Sequence, residues 1–389
     1  MYNKKKLSAI FILCYLAYTT IYIARLNLSL AAPVMESLNI LNKSHIGLMG
    51  SLFFFTYSLG QLFNGNLGDK FKPKTMIVIG LAVTGICNLF IGLFPPFWSI
   101  LIFWGLNGYA QSMIWGPMLR TLSSNFEDKK LSYIVSFLVT SVAAGSVLGI
   151  LLAKLSITLF NVSYAFYIPG IITLIISALV AVFLRVKQQK SIPVDRISFK
   201  KIFFHKEVYP MLIPAIAHGI LKDNINLWAP IYFVDVYKID LKSMTYFAVL
   251  IPIISLFGRL IYPPLYRVFK NENTLSIYAF FTCVICIVPL CFNSIPPVLA
   301  AICLSIIAAA ISVINTSILS IFPMKFSYCG NVSLVAGVMD FATYLGAGIS
   351  SLIYGILLQI SGYTIMYISW AVLSVISVIA LVNINQQKY

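Results

Sequence analysis

Apolar residues run through this chain in long blocks, and the polar residues between them come in short clusters. Twelve blocks can be bounded, at 7–31, 45–68, 75–94, 98–122, 132–155, 163–185, 208–234, 243–266, 274–292, 297–322, 332–359 and 363–384. Each holds roughly 20 residues or more, and a helix of ~20 residues crosses a hydrocarbon core about 30 Å thick. A backbone in lipid must satisfy its own hydrogen bonds, which an α-helix does within one segment. The pattern predicts an all-α membrane protein with twelve transmembrane helices. The first block follows Lys4, Lys5 and Lys6. It is too long for a signal-peptide core and lacks a small-residue cleavage site, so it is expected to stay as the first helix.

The longest polar interval, 186–206, separates six blocks from six and predicts a six-helix bundle at 1–185, a linker, and a second bundle at 207–389. Within the linker, FKKIFF is expected to form a short surface helix with phenylalanine inward and lysine outward. An internal repeat supports the division. Aligned on their Ala-Pro pairs, YIARLNLSLAAP (22–33) lies over GILKDNINLWAP (219–230), which puts Arg25 on Lys222, Asn27 on Asn224 and Ser29 on Asn226. Further on, Gly60 meets Gly258 and Gln61 meets Arg259. The expected architecture is two pseudo-symmetric six-helix bundles.

Composition agrees with the pattern: 60% of the residues are hydrophobic and only 10% are charged. The charges add orientation. Lysines and arginines crowd the N-terminus, the breaks near 70–74 and 129–130, the 186–206 linker and the positions Arg267, Lys270, Lys325 and Lys388, whereas the other face carries Lys43, Lys154, Lys238 and Lys242. The positive-inside rule then places both termini in the cytoplasm. The net charge of +16 reads as that topology plus attraction to anionic lipid, and no nucleic-acid partner is expected. The seven cysteines fall in predicted helices or on the cytoplasmic side, and even Cys283-x-x-Cys286 lies in an apolar helix without a second pair, so no metal site or disulfide is expected. Three widely spaced histidines (His45, His205, His218) offer thin material for an enzyme, and no cofactor is expected.

Two cations stand out because they interrupt apolar blocks at equivalent repeat positions. A charge at mid-bilayer depth costs about 2.5–3.5 kcal/mol on insertion scales, so Arg25 and Lys222 should face a wet cavity or a partner. Arginine brings a planar fork for phosphate or carboxylate, and lysine a compact charge; together they would make an anion site. The bland alternative is a buried ion pair, Arg25 with Asp340 or Lys222 with Asp223. Polar stripes add to the picture. Tyr18, Tyr22, Arg25 and Ser29 share a helix face, as do His218, Lys222 and Asn226, and a third stripe is Asn107, Gln111 and Trp115. Such stripes line a path or join helices. Asp340, Asp223 and His218 are candidates for coupling transport to protons.

The segment GNLGDKFKPK (65–74) resembles the loop signature of the major facilitator superfamily, with Asp69 as an expected gate residue and Arg120 beside it in that role. Within the superfamily, YIARLNLSLAAPVM (22–35), FFFTYSLGQLFNGNLGDK (53–70), GYAQSMIWGPMLRTL (108–122), LKDNINLWAPIYF (221–233) and GVMDFATYLGAGISS (337–351) resemble the organophosphate/inorganic phosphate antiporters. These include glycerol phosphate and hexose phosphate carriers and their sensor relatives. The resemblance implies that Arg25 holds substrate phosphate, that Lys222 takes the place of a second arginine, and that Tyr18, Tyr22, Tyr57 and Tyr344 are site tyrosines. It also shows departures: Gln61 stands where glycerol phosphate carriers have a lysine, and Val142 where they have a histidine.

The expected function is secondary active transport of a small organic anion, a phosphorylated sugar or polyol exchanged for inorganic phosphate, by alternating access around Arg25 and Lys222. The helix 1 pattern is also similar to the anion:cation symporters, which take up organic acids with protons. A sugar-phosphate sensor that does not transport is the remaining alternative. Short loops fit a multi-pass protein of a prokaryotic plasma (inner) membrane, acting as a monomer.

Overall fold

The computed structural model describes residues 4–126, 128–186, 199–292, 295–326 and 332–386; inside helices, the side chains of 4–6, 65–70, 128–133, 136, 199–200, 333 and 385–386 are outside that description. Among the described residues every regular element is helical. In chain order these are α1 (Lys4–Ser37), α2 (Lys43–Lys70), α3 (Pro73–Gly92), α4 (Phe97–Ser112), α5 (Trp115–Asn125), α6 (Asp128–Leu159) and α7 (Tyr164–Phe183). They are followed by α8 (Phe199–Phe203), α9 (Leu212–Tyr237), α10 (Leu241–Phe269), α11 (Glu272–Leu290), α12 (Pro297–Asn315), α13 (Phe322–Met324), α14 (Val332–Ile360) and α15 (Tyr363–Gln386). Ten of the helical stretches are long and apolar enough to cross a membrane. The other two crossings expected from the sequence fall on α4 with α5, and on α9, which carries Lys222, Asp223 and Asp235.

Polarity is inverted relative to a water-soluble helix. On α7, Ile171, Ile175 and Val182 are at least half exposed while Thr173 and Ser177 are buried. The Ser177 hydroxyl donates to the Val78 carbonyl on α3 at 2.9 Å, and Thr173 donates back to Pro169 at 2.7 Å. An apolar outside with hydroxyls inside is what a lipid solvent selects, because lipid rewards no burial of hydrocarbon and punishes an unsatisfied hydroxyl.

The chain forms two compact units, residues 1–41 with 52–192 and residues 42–51 with 193–389. In the first, α1 packs on α6 and α7, and α3 on α7 and α4. The second repeats this set: α9 packs on α14 and α15, and α11 on α15 and α12. Glycines allow the closest crossings. A Cβ at Gly145 of α6 would meet the Thr19 carbonyl and Tyr22 of α1, and one at Gly219 of α9 would meet the Thr343 carbonyl of α14.

Two blocks expected as single helices are interrupted. The 98–122 block breaks at Met113 and Ile114, where the backbone tightens to bonds from Met113 to Ala110 and from Ile114 to Gln111. The reason is Pro117, which has no N–H to give the Met113 carbonyl and so ends the α-helical ladder one turn back. The 297–322 block passes from α12 through a π-helical turn, Thr316–Ile321, into α13. In the 186–206 linker, residues 187–198 lie outside the described residues, and α8 departs from the expected pattern. Lys201 is exposed as expected, but among the described side chains of α8 the buried one is Ile202, on a helix that packs on α14, while Phe203 is half-buried and Phe204 just beyond is exposed.

Local signals fix several ends. Asn271 caps α11 by accepting from the backbone N–H of Asn273 and Thr274, and Asp240 caps α10 by accepting from Ser243. Asp240 lies outside the membrane-spanning segments, and hydrogen bonds from the side chain and backbone of Ser243 hold its carboxyl below the ordinary value.

Candidate functional site

In the first unit, α1, α2 and α5 gather one group of the expected residues around Arg25. Its side chain is 9% exposed, and its guanidinium carbon lies 4.7 Å from the ring centre of Phe53, 5.1 Å from Tyr57, 5.4 Å from Phe54 and 5.8 Å from Tyr22. Ring faces attract a cation through their quadrupole without neutralising its charge, so this cage positions Arg25. Tyr18 continues the wall: it packs edge-on against Tyr22 at 5.5 Å and against Trp115, at the start of α5, at 4.8 Å. Gln61 is half-buried one turn beyond Tyr57. Phe53 and Phe54 were not among the expected site residues; the signal for them is the FFFTY run (53–57), which places aromatic side chains on the same stretch as Tyr57.

Asn27, Asn107 and Gln111 of the first unit face inward and hold helices together. Asn107 and Gln111 have no solvent exposure; Gln111 donates to Asn107 at 3.1 Å, and Asn107 reaches the Ala24 carbonyl of α1 at 3.4 Å. Asn27, two residues on from Arg25, donates to Asn88 of α3 at 2.9 Å and to the Ala165 carbonyl of α7 at 3.0 Å. Ser29 turns back to the Leu26 carbonyl of its own helix. Arg120 is half-buried on α5. The Asp69 side chain is outside the described residues, so the gate role expected for it has no geometry here.

In the second unit the focus is Lys222 on α9. Its ammonium lies 3.4 Å from the Tyr344 hydroxyl, 4.5 Å from the centre of that ring, and 3.3 Å from a carboxylate oxygen of Asp223. The carboxylate is the more buried partner, at 7% against 23% for the lysine side chain. Adjacent helix residues point about 100° apart, so this contact requires the lysine stem to fold back along its own helix. Asp340 sits one turn from Tyr344 on α14, is partly buried, and acts on Lys222 through its charge without closing a hydrogen bond or ion pair among the described residues. Of the two bland pairings open to Lys222 and Arg25, Lys222 with Asp223 is therefore formed.

Its neighbours divide between contact and scaffolding. His218 is fully buried, with Nε2 3.3 Å from the Asn315 amide at the end of α12, just before the π-helical turn. The charges of Lys222 and of Arg259 on α10 both reach it. Arg259 was not named as a site residue, although the repeat had placed it over Gln61. Asn226 donates to the Lys222 carbonyl at 3.0 Å, a bond within the helix. Asn224, the repeat partner of Asn27, is a buried hub: it donates to Ser350 at 2.7 Å and accepts from Trp228 at 3.2 Å and Ser351 at 3.3 Å, tying α9 to α14.

Two polar clusters thus occupy equivalent places in the two units, each a cation beside tyrosine on the first long helix. Known proteins carry related sequences and folds. A "Probable hexose phosphate transport protein" of Chlamydia trachomatis is 31% identical over 166 residues, covering 43% of this chain and 36% of its own length. The glycerol-3-phosphate transporter of Haemophilus influenzae is 23% identical over 276 residues, covering 59% and 56%. The membrane sensor protein UhpC of Salmonella typhimurium is 32% identical over 102 residues, covering 26% and 23%. The chain thus spans between about a quarter and a little over half of the length of these relatives. Among solved structures, the nucleoside transporter NupG superposes with a TM-score of 0.78 at 14% identity over 97% of this chain and 98% of its own, a likeness of fold. The model of the Major Facilitator Superfamily matches residues 14–328, and the chain belongs to that superfamily.

Proposed function

We propose that this protein is a secondary active transporter for a small organic anion, with a phosphorylated sugar or polyol exchanged for inorganic phosphate as the best reading. The observation that carries it is the caged, buried Arg25, matched at the repeat position by Lys222 beside Tyr344. An arginine buried in a membrane helix costs several kcal/mol unless it serves a ligand or pathway. The resemblance to hexose phosphate and glycerol-3-phosphate transporters supplies the substrate class. In this reading the bundles 1–185 and 207–389 alternate around an anion held by Arg25 and Lys222, and both termini are cytoplasmic. Tyr18, Tyr22, Tyr57 and Tyr344 orient the phosphate oxygens. Binding offsets the cost of carrying Arg25 through the low-dielectric stage, and that links movement to loading.

A second reading has its own observation. Asp340 lies within a membrane helix and forms no hydrogen bond or ion pair among the described residues, the condition of a carboxyl free to take up a proton. Proton-coupled uptake of an organic acid would use it.

Counterflow in proteoliposomes separates the readings. Vesicles loaded with phosphate should take up labelled phosphate, and a proton gradient should leave the rate unchanged. Arg25→Ala is expected to lower exchange at least ~100-fold, the scale of a lost charge-assisted phosphate contact of about 3 kcal/mol. Normal turnover in Arg25→Ala would reject the binding role. Dependence on the proton gradient, lost in Asp340→Asn, would favour the symporter, and saturable binding without uptake would mark a sensor.

A further inference from the structure

Asp223 has no role in the reading above, yet it is the nearest anion to Lys222. Its carboxylate is 7% exposed, and Lys222 is its single polar partner among the described residues. The lysine ammonium has three donors; one faces Asp223 and one Tyr344. We infer that Asp223 sets the charge of the transported anion: it cancels the field of Lys222 and makes the second unit's half of the site unfavourable to a second negative charge. This rests on the proposed anion site at Arg25 and Lys222.

The physics is a proportionality. The energy of an anion in a fixed electrostatic potential scales with its charge, so whatever lowers that potential penalises a dianion twice as much as a monoanion. Asp223 lies 3.3 Å from the ammonium, close enough that the two charges act on an approaching solute as a dipole instead of a cation. The charge of Asp340 also reaches Lys222 and works in the same direction, and with Arg259 of α10, whose charge reaches His218, the second unit's cluster holds two acids against two cations. The preferred solute therefore presents a singly charged group, such as a monoanionic phosphate, a sulfate ester or a carboxylate.

The test compares two probes of one shape and different charge. Hexose 6-phosphate is a dianion above its second pKa of about 6, while hexose 6-sulfate carries one charge. Each is titrated at pH 8 as an inhibitor of labelled phosphate counterflow, and the ratio of their half-inhibitory concentrations is read. The unmodified protein should show no preference for the phosphate over the sulfate, because the compensated site gains nothing from the second charge. Asp223→Asn should shift that ratio at least tenfold toward the phosphate. Lys222→Gln, which leaves the acid uncompensated, should weaken both probes and lower the preference at least tenfold, and this variant reports even where Asp223→Asn does not fold. A general structural role for Asp223 would shift both probes equally. An unchanged ratio in Asp223→Asn, with Lys222→Gln weakening both probes equally, overturns the inference and leaves the anion site standing. Unchanged affinities in Lys222→Gln would remove the proposed site itself.

Discussion

Two asparagines on α9 separate what a polar residue does from what its position suggests. Asn226 shares a face with Lys222 and reads as a site residue, yet its amide is spent on the Lys222 carbonyl of its own helix. Asn224 points the other way, into contacts with Ser350, Ser351 and Trp228. Replacing Asn224 by alanine strands the Trp228 N–H and the Ser351 hydroxyl, while Ser350 keeps its bond to the Ala347 carbonyl, and buried groups left unsatisfied cost about 1–3 kcal/mol each. Asn224→Ala should thus destabilise the purified protein by roughly 2–4 kcal/mol, read as a fall in Tm in detergent, and Asn226→Ala by about 0.5 kcal/mol or less. Equal effects would contradict the hub assignment. The repeat made the positions legible: Asn27 was placed over Asn224, and both are buried helix connectors. The role was not, because a membrane asparagine that joins helices and one that lines a path have the same sequence neighbourhood. The Lys222–Asp223 contact was likewise one of two open pairings, since adjacent residues on a helix do not ordinarily meet.

Helices were the most readable level. Every expected block lies on helix, with ends differing by a few residues, because the length of an apolar run is set by bilayer thickness. What hydropathy misses is the interior of a span. The Met113–Ile114 break is invisible to it, although Gly116 and Pro117 announce it locally. The π-helical turn at Thr316–Ile321 has a comparable marker in Pro323, which has no N–H to give the Leu319 carbonyl. Crossings are also set below the level of hydropathy. At Gly219 the backbone of α14 comes so near that an added Cβ would overlap the Thr343 carbonyl, and the Thr343 hydroxyl donates across the same seam to Ala215 at 3.2 Å. A rigid backbone on both sides leaves little room to yield. Gly219→Ala should cost about 1–3 kcal/mol through overpacking, measured as a lower Tm, and Gly219→Leu should abolish recovery of folded protein. Gly337, whose missing Cβ would meet nothing within 4 Å, is the control: Gly337→Ala should be tolerated or slightly stabilising, since alanine has the higher helix propensity, and a comparable loss there would contradict the packing argument.

At the scale of the molecule, the sequence divides the chain once, at the polar interval, whereas the contacts divide it at three points, after residues 41, 51 and 192. Residues 42–51 group with the second unit while the remainder of α2 groups with the first. No sequence signal marks this, because the 45–68 block is continuous and its partners lie about 190–320 residues away. The reason is a local set of contacts at the head of α2. Lys43 pairs with Asp235 at the end of α9 at 2.7 Å, Tyr363 at the start of α15 donates to the same carboxylate at 2.7 Å, and Gly47 presses on Gly355 of α14. The ion pair is only partly buried, at 19% and 25% side-chain exposure, so water screens it and its worth is about 0.2–1 kcal/mol. That is small for folding but sufficient to shift an equilibrium between conformations that keep or lose the contact, by up to about fivefold. A cysteine placed at Ser44, which sits on Gln359 of α14, reports on that equilibrium through its rate of reaction with a membrane-impermeant maleimide. Lys43→Ala should speed labelling by about two- to fivefold, and the exchange Lys43→Asp with Asp235→Lys should return it toward the original rate, since the pair is restored with its charges reversed. High salt should mimic Lys43→Ala, because water and ions reach a partly exposed pair and the Debye length falls to ~3 Å at about 1 M salt. Labelling indifferent to salt and to both substitutions would mean that the glycine contact alone fixes the head of α2, and that the charges there are bystanders.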